Sequence, residues 1–147
     1  EFMDMKGLVG PVRLSVTDTP LMTPPEGKVQ AWWKEHPPVA TLVDPQLDTS
    51  APEWHTFGFN RGPGHCEAAW GGEIPREPFV CFRCALPGLT GPNRMLHVGF
   101  AYDKATVYLN GQKIAEQTTP GVPFDVPLDP AWKPGGPNLL ALIVEVL

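Results

Sequence analysis

With 147 residues, 42% hydrophobic and 18% charged, the chain has the length and balance of one globular domain able to bury a core without disulfides or a metal. Its 19 prolines and 15 glycines, dispersed among short apolar runs, argue against long helices, because proline lacks an amide hydrogen and glycine costs backbone entropy. A net charge of -5, with 11 Lys and Arg and no basic run, argues against nucleic acid as a partner, and no stretch approaches the roughly 18 apolar residues of a membrane helix.

Glu1-Phe2-Met3 reads as a cloning scar, leaving residues 4–147 as a single domain. Gly10 to Asp18 is a first strand, with Val12, Leu14 and Val16 alternating against Arg13, Ser15 and Thr17. A proline-rich loop follows, then the short apolar segment Lys28 to Trp33. Val39 to Val43 is another brief β-branched run, and Asp44 to Glu53 is turn chemistry: Asp-Pro, Asp-Thr-Ser and Ala-Pro in sequence. Trp54 to Phe59 is the next strand candidate. Asn60 to Pro78 is the longest irregular stretch, of a length that is usually functional or mobile inside a compact domain.

Beyond it the pattern sharpens into strands over Phe79 to Leu86, Arg94 to Tyr102, Ala105 to Asn110, Gln112 to Ala115 and Leu139 to Val146. Asn110-Gly111 is the strongest local signal, a two-residue hairpin turn that needs positive φ at both positions. Leu96, Val98, Phe100 and Tyr102 fall on one face, His97 and Ala101 on the other, as in a sandwich sheet packed on a partner. The chain stops at Ile143 to Leu147, in mid-pattern for a strand, which suggests a domain excised from a longer protein. The fold class is therefore all-β, an antiparallel sandwich of two sheets.

Of the three cysteines, Cys81 and Cys84 invite a metal or redox reading. On a strand, residues three apart point to opposite faces, so the pair cannot share a ligand and reads as two small buried hydrophobes. Pairing of Cys66 with either is open. No metal site is expected; a structural calcium ion at loop carbonyls and carboxylates is left open, without an EF-hand-like spacing to mark one. Glu73, Glu77, Asp103 and Asp125 fall in loops or turns with no recognisable acid/base pairing, and no nucleophile elbow or H-E-x-x-H is present. His65 beside Cys66 would face away from it in an extended chain. Catalysis by this chain alone is not expected.

Three stretches carry a family resemblance. Phe82-Arg83-Cys84-Ala85-Leu86-Pro87, then Arg94 to Gly111, then Pro123-Phe124-Asp125-Val126-Pro127-Leu128 together with Pro134 to Val144, resemble in order and spacing the sugar-binding, jelly-roll domain that precedes the barrel in glycoside hydrolase family 2. The resemblance covers Pro78 to Glu145 and implies a galactose-binding-like sandwich. It also implies a carbohydrate-associated role beside the catalytic domain of a parent chain, for which a secreted or periplasmic setting is favoured.

A sugar site wants an exposed aromatic platform with polar partners around it. Trp54 and Trp70 bracket the long loop with Asn60, Arg61, His65 and Glu67, and either Trp32 or Trp33 turns outward if their segment is a strand, making Trp33 a further candidate. For each tryptophan the alternative is packing in the core. Trp132 reads as a cover over the sandwich end, and Arg83 and His97 as a solvated or partner-covered sheet surface. The leading expectation is a non-catalytic carbohydrate-binding module of a multidomain glycoside hydrolase; the alternatives are a structural domain packed on a catalytic barrel without sugar affinity of its own, and a protein-interaction sandwich.

Overall fold

The computed structural model describes residues 12–16, 26–32, 36–58, 79–86, 88–99, 101 and 103–145. Among the described residues nine strands run in chain order: β1 (Val12–Val16), β2 (Glu26–Trp32), β3 (Trp54–Gly58), β4 (Phe79–Leu86), β5 (Arg94–Val98), β6 (Lys104–Leu109), β7 (Gln112–Gln117), β8 (Phe124–Pro127) and β9 (Asn138–Glu145). A one-turn helix, α1 (Val39–Leu42), and a 3-10 turn over Asp129–Ala131 are the helical pieces among the described residues. The strands form a six-stranded sheet in the order β3-β2-β4-β9-β6-β7 and a three-stranded sheet in the order β1-β5-β8. Every pairing within them is antiparallel, so the fold is the expected all-β sandwich.

Alternation decides what lies between the sheets. The even-numbered residues Cys84 and Leu86 of β4 and Leu140, Leu142 and Val144 of β9 face inward with Ala105, Val107 and Leu109 of β6. They meet Leu96 and Val98 of β5 and Val126 of β8, closing one apolar cluster between the layers. The Asn110-Gly111 turn forms as expected: φ is 54° and 84°, and Leu109 pairs directly with Gln112.

The other face of the six-stranded sheet is also covered. Phe79 and Cys81 of β4 and Ala141 and Ile143 of β9 pack with Trp54, Leu42 and Val43 in a second cluster, so residues 39–54 form a third layer. Two-sided burial explains why β4 and β9 read as nearly continuous apolar runs, whereas β5, covered on one side, alternates.

Three expectations are corrected. The β-branched run Val39–Val43 is a helical turn rather than an extended piece: Thr41 and Leu42 both donate to the Pro38 carbonyl, and Leu42 is fully buried. Local propensity yields here to tertiary contacts. The strand expected to reach Tyr102 ends at Val98, and Ala101, expected on the polar face, is buried in the main cluster and accepts a backbone bond from Gly121. Once the chain leaves the ladder at Gly99, the period of two no longer sets which way a residue points. Asp125 lies within β8, paired with His97, rather than in a turn.

Candidate functional site

The outer face of the six-stranded sheet carries a buried cation beside a groove. On β4, Arg83 stands between two free thiols that point to opposite faces, Cys81 into the outer cluster and Cys84 into the main one. The strand geometry expected for the pair is thus present, and it separates them. Burial pushes both thiols up to about 12, well above the ordinary thiol value. They behave as small hydrophobes.

Arg83 corrects the solvated-surface reading: the residue is 4% exposed, covered by the chain's own third layer. Its guanidinium donates to the Leu42 carbonyl and, at 2.9 Å, to the Asp44 carbonyl, and its carbon sits 5.7 Å from the Trp54 ring centroid. The Leu42 carbonyl is the last of α1, where helix carbonyls lack partners within the helix and a cation is favourable; the Asp44 carbonyl lies just beyond and also accepts the Leu47 amide. Desolvation lowers the Arg83 pKa, while the negative charges of Cys81, were it ionised, and of Asp44 oppose the shift. Arg83 therefore pins the third layer to the sheet.

Beside it, a groove of about 510 Å³ opens between the sheet and the Asp44–Ser50 turns, within the size range of small-molecule sites. Lys28, Thr56 and Arg83 line the sheet side, and Pro45, Leu47 and Thr49 line the turn side. Lys28 Nζ donates to Thr56 Oγ1 at 2.9 Å. No aromatic ring is among the described residues that line it.

Trp54 is 7% exposed and sits in the second core cluster beneath Arg83, so its ring is core rather than an open platform. Asn60, Arg61, His65 and Trp70, together with Trp33, lie outside the described residues, as do Cys66, Glu73 and Glu77. Trp132 is half-buried against the main cluster with the Arg94 guanidinium 4.8 Å from its ring centroid, in keeping with a cover over the core. His97 is on an exposed sheet surface as expected, its Nδ1 2.6 Å from Asp125 Oδ1. Among the described residues no group of three His, Cys, Asp or Glu side chains converges as metal ligands would. The groove itself escaped sequence reasoning. Its walls come from five separated segments, and no local motif announces them.

Fold and register together define a class: an all-β sandwich of two antiparallel sheets. Among solved structures, it is similar to part of the Bifidobacterium dentium β-glucuronidase complexed with coumarin-3-O-glucuronide, at 17% identity and a TM-score of 0.62 over 97% of this chain and 21% of that one. The Bacteroides uniformis β-glucuronidase 2 matches at 17% identity and a TM-score of 0.61, over 84% of this chain and 14% of its own. A β-glucuronidase from glycoside hydrolase family 2 matches at 15% identity and 0.60, over 99% and 15%. The chain thus spans about a fifth or less of the length of the structures it resembles. No family model and no curated protein matches the sequence.

Proposed function

We propose that this chain is a non-catalytic accessory sandwich of a family 2 glycoside hydrolase, one that packs on the catalytic domain of its parent and supports it structurally. The observation that carries the reading is the correspondence of 97% of this chain to only 21% of a β-glucuronidase: the whole sandwich answers to one portion of a much larger enzyme. A domain in that position works through a surface laid against its neighbour, and interfaces of this kind need no small-molecule pocket.

Carbohydrate binding by the sandwich itself is the second reading, favoured by the closeness in sequence of Asn60, Arg61, His65 and Trp70, residue types that supply both an aromatic ring and polar partners. Burial of Trp54 counts against it, since one of the two bracketing rings is taken by the core. A glycan array separates the two. The structural reading expects no retained glycan and an unchanged profile in Trp70→Ala. Retention of a defined glycan that Trp70→Ala abolishes would replace it with a carbohydrate-binding module.

A further inference from the structure

Lys28 and Arg83 are directly opposed across the β2–β4 ladder, and both line the groove. Like charges facing each other in that position are destabilising unless something compensates. Among the described residues, neither cation makes a salt bridge: Lys28 bonds only the Thr56 hydroxyl, and Arg83 only two backbone carbonyls. Of the acids on the turn side, Asp44 acts on Arg83 through its charge but makes no direct bond to either cation, and Asp48 makes none. Asp44 Oδ1 accepts the Gln46 amide, and Asp48 accepts the Ser50 amide and hydroxyl, which holds the Asp48 carboxyl below its usual range. No carboxylate is among the described residues lining the groove, while the hydroxyls of Thr49 and Thr56 are. In a chain of net charge -5 this is a local reversal of sign.

We infer that the groove is a binding site for the oxyanion group of a small ligand, with Lys28 as its principal cation, Thr49 and Thr56 as hydroxyl donors, and Arg83 as a buried positive charge beneath it. An anion there compensates the opposed cations, and the Lys28 ammonium, with three donors and one spent on Thr56, has capacity left to hold it. Carboxylate, sulfate and phosphate share the chemistry. Two or three charge-assisted bonds on a partly open surface correspond to a dissociation constant on the order of 1 mM. The inference stands on the groove's charge alone and does not depend on any parent enzyme.

The test is an amide NMR titration of the chain with sodium sulfate and with sodium glucuronate at ionic strength held constant with sodium chloride, glucose serving as the neutral control. Saturable shifts at Lys28, Thr49 and Thr56 are expected, weakened about tenfold in Lys28→Gln, the loss of one charge-assisted contact, and restored in Lys28→Arg. Saturation by sulfate alone assigns a tetrahedral anion, and by glucuronate alone a carboxylate; either supports the site. Shifts that never saturate, an equal response to glucose, or an undiminished affinity in Lys28→Gln would overturn it.

Discussion

Arg83 binds two layers through three contacts at once: the Leu42 carbonyl, the Asp44 carbonyl and the face of Trp54. Arg83→Met keeps the stem's bulk but orphans the Leu42 carbonyl, while the Asp44 carbonyl keeps the Leu47 amide, a penalty of about 1–3 kcal/mol. Arg83→Lys recovers only part of it, because an ammonium lacks the planar fork that reaches two acceptors. Urea unfolding midpoints measure both, and equal stability of Arg83→Met and the parent protein would show that the third layer holds without the guanidinium. The neighbouring thiols give a prediction of opposite character. Their folded pKa values, about 12, lie above the ordinary value of 9.0, so the folded state holds its thiol protons more tightly than the unfolded chain. Below pH 9 the thiols make stability no more dependent on pH; above it, stability falls by up to about 1.4 kcal/mol per pH unit per thiol until the folded values are reached. Urea midpoints between pH 8 and 11 test this, and Cys84→Ala should flatten the decline.

At the level of single elements, the β6–β7 hairpin shows how much two residues can specify. Asn110 and Gly111 both take positive φ, and the Asn110 side chain does more: Nδ2 donates to Ala131 O and Asn138 Oδ1, and Oδ1 accepts the Leu139 amide. Asn138, 2% exposed, in turn binds both the Lys133 amide and its carbonyl. Asn110→Gly preserves the turn but breaks this network, at an expected cost of about 2 kcal/mol. Gly111→Ala meets nothing closer than 3.6 Å and suffers only the left-handed backbone penalty of about 1 kcal/mol. Denaturation midpoints rank the two, and the reverse order would mean that the turn, not the asparagine network, anchors the hairpin. The turn was legible in the sequence because its chemistry is local. Helix α1 was not: Val39 and Val43 favour extended chain, and what holds them in a turn is a cation 40 or so residues away along the chain, on β4.

The whole molecule repeats that contrast. Apolar alternation and turn residues sufficed to foresee two facing sheets, yet nothing in the pattern of β4 said that its second face would be covered by the chain's own residues 39–54 rather than by solvent or a partner. The groove was illegible for the same reason, since Lys28, Thr56, Arg83 and the Asp44–Ser50 turns meet only through sheet register. Because β4 and β9 supply side chains to both clusters, neither cluster can be lost while the sheet between them stays intact and dry. The two cysteines report on this separately, Cys81 from the outer cluster and Cys84 from the main one, and at pH 8 neither reacts until its cluster opens. Leu42, 0% exposed, belongs to the outer cluster and not to the main one, and Leu42→Ala is expected to cost about 2–5 kcal/mol. If the three layers form one cooperative unit, that substitution speeds alkylation of Cys81 and Cys84 by the same factor, followed by peptide mapping under native conditions. Faster labelling of Cys81 alone would show instead that the third layer lifts off by itself, leaving the two-sheet sandwich folded beneath it.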